Sequence, residues 1–94
     1  MFEWDPANAE RHLKKHRVSF EEAVTAFDDP AGLSGRDLGH SDAELRYFWI
    51  GRSTTDRILT IAYTLRRTND AETAIRIISA RRASRKERQA YAGD

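Results

Sequence analysis

The chain has 94 residues, of which 39% are hydrophobic and 33% charged, with a formal net charge of +1 and no cysteine. That length predicts one domain over residues 1–94 with a modest core, and the composition is that of an ordinary soluble globular chain rather than a disordered one. The lack of cysteine excludes a disulfide scaffold and thiolate-bound zinc and fits a reducing, cytoplasmic setting. No stretch reaches the ~20 apolar residues of a membrane span, and the N-terminus lacks a signal-peptide pattern.

Phe2, Glu3 and Trp4 alternate apolar and polar, the pattern of a short strand. Asp5-Pro6 then supplies an N-cap with proline at the first helical position, where its missing N–H is harmless. A helix is expected from Pro6 to about His16, burying Ala9 and Leu13. Its last turn holds Lys14, Lys15, His16 and Arg17, where cations complement the helix dipole. Ser19 and Glu22 have capping-box spacing, and Phe20, Ala23, Val24 and Phe27 then fall on one helical face, with Phe27 a core anchor. Asp28-Asp29-Pro30 ends this second helix. The short link between the two helices predicts a helical hairpin.

Residues 31–45, with Gly32, Gly35 and Gly39, read as loop or a weak edge strand. Residues 46–52 read as a strand, 53–56 as a tight connection, and 57–66 as the clearest strand. In that strand Leu59, Ile61, Tyr63 and Leu65 oppose Thr60, Ala62 and Thr64. Turn chemistry at 68–72 precedes a last strand at 75–80, and Ser84 with Glu87 forms a capping box opening a final helix. The fold class is therefore α+β: an N-terminal helical hairpin on a mainly antiparallel sheet of three or four strands, closed by a C-terminal helix. Phe20, Phe27, Phe48, Trp49, Ile61 and Ile77 are the core candidates. An exposed Trp4 or Trp49 is instead expected to mark a partner surface.

Charge is unevenly spread. Residues 75–91 contain Arg76, Arg81, Arg82, Arg85, Lys86 and Arg88 against Glu87 alone, a charge of +5 that leaves −4 for the remainder. Such asymmetry at a strand-to-helix junction suggests an anion site, most simply for a nucleic-acid backbone. Pairing the last three strands as hairpins brings Arg52, Arg57, Arg81 and Arg82 to one end of the sheet beside the final helix's N-terminus. Their mutual repulsion is what an anion would relieve. Strand parity puts Arg76 and Arg82 on one face and Arg81 on the other.

Several linked motifs resemble one family. They are Phe2-Glu3-Trp4-Asp5; Lys15-His16-Arg17-Val18-Ser19-Phe20-Glu21-Glu22; Phe27-Asp28-Asp29-Pro30; His40-Ser41 with Glu44 and Arg46; and Ile75-Arg76-Ile77-Ile78-Ser79-Ala80-Arg81. In this order, over nearly the whole chain, they resemble the BrnT toxins. The resemblance implies a RelE/ParE-like fold and a ribonuclease activity that arrests translation. It also implies neutralisation by a BrnA-like antitoxin with a ribbon-helix-helix domain, so that operator DNA is met only through the antitoxin. The family pattern has glycine where this chain has Arg17. Arg17 either takes the left-handed conformation that suits glycine, at a cost, or ends the helix differently.

A ribonuclease of this kind lets a 2′-hydroxyl attack its own phosphodiester, and the protein positions, moves protons and stabilises the phosphorane. Arg76 and Arg81, in a strand of otherwise apolar or small residues, fit the charge role, with surface ion pairing as the alternative. Arg57 joins them as a third catalytic candidate. Glu87 is a candidate proton acceptor or merely half of a capping box. Arg52, Ser79, Arg82, Arg85, Lys86, Arg88 and Tyr91 are candidate RNA contacts; for Tyr91, docking the last helix is the competing role. His16 is the candidate acid–base histidine, its helix-end position being an equally good explanation. His12 and His16 share a helix face at metal-binding spacing, but without a carboxylate they suggest no metal, and no cofactor is expected. The leading expectation is a metal-independent endoribonuclease. A non-catalytic nucleic-acid- or protein-binding module, or a topoisomerase poison of the same fold, are the alternatives.

Overall fold

A computed structural model of the chain describes residues 1–37 and 45–93; His40, Ser41 and Glu44 lie outside them. Element order is β1 (Phe2–Glu3), α1 (Pro6–His16), α2 (Phe20–Ala26), β2 (Leu33–Arg36), β3 (Tyr47–Arg52), β4 (Ile58–Arg67), β5 (Thr73–Arg82) and α3 (Arg85–Ala92). The architecture is α+β. The strands form one sheet in the order β1-β5-β4-β3-β2, antiparallel throughout except for β1, which runs parallel to β5. The sheet thus has five strands rather than three or four, the additions being a two-residue strand at one edge and Leu33–Arg36 at the other.

The three helices start as their cap residues dictate. Asp5 Oδ1 accepts from the Ala7 N–H at 3.1 Å, with Pro6 at the first position. Ser84 and Glu87 complete a reciprocal capping box on α3. At α2 only half the expected box forms: Ser19 Oγ accepts from the Glu22 N–H at 2.9 Å, but the Glu22 carboxylate turns away to Arg57. A guanidinium offers that carboxylate a stronger, charge-assisted partner than a backbone N–H. Arg17 ends α1 in the left-handed region (φ 59°, ψ 31°), its N–H donating to the Leu13 carbonyl at 2.9 Å.

One face of the sheet is the core face. Val18, Phe20, Ala23 and Ala26 from the second helical segment meet Leu59, Ile61, Ile77 and Ala80, all essentially without solvent exposure. Beside them lies an aromatic cluster in which the Phe27 ring contacts Phe2, Trp49 and Tyr63 at 5.2–5.4 Å. Phe27 therefore packs against the core from its margin. Trp49 Nε1 donates to the Ala26 carbonyl at 2.8 Å, across a space that a side chain at Gly51 would fill. Trp4 packs edge-on against Phe20. Both tryptophans are thus engaged in packing. Leu65, expected on the apolar face of β4, is about half exposed toward the strand's end.

Helix α1 packs on β5, and α2 across β3, β4 and β5, so both helices are held chiefly by the sheet. The inward face of α1 differs from the expected one. Asn8, Ala9, His12 and His16 are partly buried, whereas Leu13 is 47% exposed. The stripe of spacing 8/9, 12, 16 mixes polar and apolar residues, and Leu13 lies one position around the helix from it. Phe48 also departs from expectation. It pairs with Ala62, on the sheet face opposite the core.

Candidate nucleic-acid cleft

The site is set by a β-bulge. Ala62 of β4 pairs with Ser79, but the next residue, Tyr63, pairs with Ile77, so Ile78 is an extra residue in β5. Its carbonyl accepts from Asn8 Nδ2 of α1 at 2.6 Å. An inserted residue resets the alternation of side chains. Arg76, Ser79 and Arg81 consequently pair with Thr64, Ala62 and Thr60, alternate residues of one β4 face. Strand parity without the bulge puts Arg81 opposite Arg76; the bulge corrects this and puts both on the non-core face.

A cleft of about 500 Å³ opens on that face. The sheet contributes Phe48, Thr60, Ala62, Ile78, Ser79 and Arg81; Arg46 precedes β3, Glu87 enters from α3, Asn8 and His12 from α1, and Asp37 follows β2. Gly35 pairs with Phe48, and a side chain at Gly35 would collide with the Phe48 ring, so glycine sets where that ring lies. Arg81 Nη1 and Nη2 donate to Glu87 Oε1 and Oε2 at 2.7 and 2.9 Å. Glu87 Oε1 also accepts from Thr60 Oγ1 at 3.0 Å and from the Ser84 N–H at 2.7 Å. The Arg81 guanidinium, and then these donors, hold the Glu87 carboxyl at a pKa of about 2 against the opposing effect of burial. Glu87 is therefore a poor proton acceptor and an effective anchor for Arg81.

His12, weighed from the sequence only as a metal ligand with His16, is a titratable group that lines the cleft. Its ring contacts His16 and Phe20, both at 5.5 Å, and its Nδ1 is buried without a hydrogen-bond partner among the described residues. Burial, then the neighbouring charges of His16, Arg11 and Lys15, push its pKa below the usual histidine value. Both effects favour the neutral imidazole. His16 packs behind it and does not line the cleft. The signal available in the sequence was the helix face: His12 lies on the Asn8–Ala9 side, which the Asp5-Pro6 start turns toward the sheet.

The remaining candidates lie elsewhere. Arg76 donates to Glu3 Oε2 at 3.1 Å, and Arg66 shares that carboxylate. Arg57 is held by both oxygens of Glu22, and Arg52 by Asp56 at 2.8 Å. Three of the four guanidiniums expected to cluster, Arg52, Arg57 and Arg81, are thus held by separate carboxylates. Arg82 and Arg88 border a shallow depression with Arg57 on the outer surface, and Arg88 Nη1 donates to the Ala83 carbonyl at 2.8 Å. Arg85 and Lys86 are exposed on α3. The Tyr91 hydroxyl donates to Asp29 Oδ2 at 2.5 Å and its ring lies beneath the Arg52 guanidinium at 6.0 Å, which docks α3 onto the body. Among the described residues no three His, Cys, Asp or Glu side chains come together as a metal site, and no helix is long and apolar enough to cross a membrane.

Fold and cleft together define a small α+β protein in which an imidazole from α1 and guanidiniums share one polar groove on the non-core side of the sheet. The family model described as "Ribonuclease toxin, BrnT, of type II toxin-antitoxin system" matches residues 4–87, and the chain belongs to that family. Among solved structures it is similar to the 1.1 Å crystal structure of the Brucella abortus ribonuclease toxin BrnT, at 22% identity and a TM-score of 0.55, covering 90% of this chain and 99% of that one. A comparison with curated proteins finds no match.

Proposed function

We propose that this protein is a metal-independent endoribonuclease that cuts RNA by transesterification in the cleft between α1, the sheet and α3. The observation that carries this reading is that His12, whose neutral form its surroundings favour, and Arg81, fixed by Glu87, line one groove. The 2′-hydroxyl gives its proton to His12 as its oxygen attacks the adjacent phosphorus. Arg81 stabilises the negative charge that develops on the phosphorane oxygens. The bond from phosphorus to the 5′-oxygen then breaks, that oxygen takes a proton from water, and a 2′,3′-cyclic phosphate remains. Phe48 offers a ring on which a base can stack, and Ser79, across Ala62 on the same sheet face, a hydroxyl. Arg85, Lys86 and Arg82 supply an outer basic surface for the backbone.

The antitoxin partner implied by the family is proposed to be a ribbon-helix-helix protein that covers this basic end in the cytoplasm and alone contacts operator DNA. The deciding experiment incubates purified protein with RNA in EDTA, with Arg81→Ala and a 2′-deoxy-substituted substrate as controls. Cleavage in EDTA that needs both Arg81 and the 2′-hydroxyl supports the reading. Binding without cleavage would leave a non-catalytic module.

A further inference from the structure

The cleft that holds His12 and Arg81 is nearly balanced in charge among its described residues: Arg46 and Arg81 face Asp37 and Glu87. It is therefore poorly suited to hold a polyanion by attraction alone. Next to it lies a second depression of about 230 Å³, sharing Asn8, Arg46 and Ile78 with the first. Arg11, Arg46 and Arg76 line it against one lining carboxylate, Asp5, whose Oδ1 is already engaged by the Ala7 N–H; Arg76 also donates to Glu3 Oε2 at 3.1 Å, but that carboxylate is shared with Arg66 and lies outside the lining. Thr64, which pairs with Arg76, is 1% exposed and also lines it, and its hydroxyl has no hydrogen-bond partner among the described residues. A buried hydroxyl is rarely left unsatisfied without a reason. Three guanidiniums and an unpaired hydroxyl donor make a set suited to phosphate oxygens.

We infer that this second depression is a phosphate subsite, which takes a phosphodiester neighbouring the scissile one and supplies the anchoring that the charge-balanced cleft lacks. The inference rests on the ribonuclease reading for its substrate. Thr60 and Thr64, one in each depression, are four residues apart along β4, roughly 13 Å at the rise of an antiparallel strand. About two extended nucleotide units bridge that separation. The bulge at Ile78 and the Asn8 bond to its carbonyl stand between the two depressions, so α1 is the wall along which the RNA would pass.

The test uses 2′-deoxy oligonucleotides, which bind but lack the attacking hydroxyl, carrying one, two or three phosphates. Binding is measured by calorimetry against salt, for the parent protein and for Arg11→Gln and Thr64→Val. Arg11 is exposed and among the described residues bonds only Asn8, so its replacement leaves the fold intact. In the parent, affinity should step up roughly tenfold at the second or third phosphate. The logarithmic salt slope should steepen by about 0.7 for that phosphate. Arg11→Gln should lose most of the step and the added slope, and Thr64→Val part of the step. Absence of any step in the parent, or an equal step in Arg11→Gln, overturns the subsite. Failure of RNA cleavage with the step intact would instead remove the ribonuclease reading and leave the phosphate subsite standing.

Discussion

Arg57 closes on Glu22 edge to edge: Nε donates to Oε2 at 2.9 Å and Nη2 to Oε1, while Nη2 also reaches the Arg17 carbonyl at 3.1 Å. Ser53 and Thr55 hydroxyls donate to Glu22 Oε2 at 2.8 and 2.5 Å. One carboxylate thereby joins the end of α1, the start of α2 and the β3–β4 connection. Its side chain is 12% exposed. Removing the cation leaves a largely buried carboxylate with two hydroxyl donors, so Arg57→Ala should cost roughly 2–3 kcal/mol. For a domain of this size that lowers the melting temperature by on the order of 10–20 °C.

The same pair fixes a pH dependence. The guanidinium of Arg57 holds Glu22 at a pKa of about 2, as Arg81 holds Glu87. A folded pKa below the unfolded value gives stability that is complete above ~4.5 and is lost as pH falls toward 2. Urea melts of the parent across pH 5 to 2 should show a steady loss in that window. Arg57→Ala should show a smaller loss there, having forfeited Glu22's share already. Equal pH slopes in the two proteins would mean that Glu22 is not held by Arg57 in solution.

Arg17 occupies the left-handed region without a glycine's freedom, which costs roughly 1 kcal/mol. The structure shows what the conformation achieves: it points the Arg17 carbonyl at Arg57. Only the backbone makes that contact. Arg17→Gly should therefore raise stability by about 0.5–1 kcal/mol and leave RNA cleavage near the parent's. Thermal and urea melts check the sign; a destabilised Arg17→Gly would reveal a role for the side chain.

The sequence made the elements legible because their signals are local. Asp5-Pro6, Ser19 and Ser84 mark three helix starts, and the alternation Leu59-Thr60-Ile61-Ala62-Tyr63-Thr64 marks the central strand. Family membership was legible too, because linked motifs run through most of the chain. The cleft was harder to read, and the reason is one residue. Ile78 is apolar and β-branched like its neighbours, so nothing in the run Ile75-Arg76-Ile77-Ile78-Ser79 says which residue the ladder omits. A bulge is decided by tertiary partners, here Asn8, and it reversed the relative facing of Arg76 and Arg81. The place of His12 in the cleft was missed for a related reason. The inward face of α1 is half polar, so a search for an apolar stripe selected Leu13, and only the packing of α1 against β5 brings the imidazole to the groove. Charge pairing was invisible as well, since Glu22 and Arg57 are far apart in sequence.

His12 gives the activity its expected pH profile. A general base works in its neutral form, and burial with the cations around His12 lowers its pKa. Single-turnover cleavage should rise with pH through an inflection below the usual histidine value near 6.5 and stay level above it. His12→Ala should lose that inflection and ~100–10,000-fold of the plateau rate. His16→Ala removes a neighbouring charge and a packing partner but no group of the cleft, so it should shift the inflection upward and keep the rate. An unchanged profile in His12→Ala would assign the proton transfer elsewhere.

Arg81 separates chemistry from binding. If its guanidinium stabilises charge that develops only at the phosphorane, Arg81→Ala should lose rate by more than it loses affinity, because only interactions stronger in the transition state accelerate the reaction. A loss of ~100–1,000-fold in rate is expected for one such donor. The control must change charge equally without touching the cleft. Arg88 is unsuitable, since it bonds the Ala83 carbonyl beside the α3 cap. Arg85 is exposed in the first turn of α3 and outside the cleft. Arg85→Ala should bind RNA less tightly, with a shallower salt dependence, and cleave at the parent's rate once saturated. Glu87→Gln completes the comparison: it frees Arg81 to turn while keeping the charge of the guanidinium, so its rate should fall less than that of Arg81→Ala, with affinity equal or higher. Cleavage at saturating protein, measured beside binding for all three variants, decides the matter. Equal rate losses in Arg81→Ala and Arg85→Ala would reduce Arg81 to one more contact with the RNA backbone.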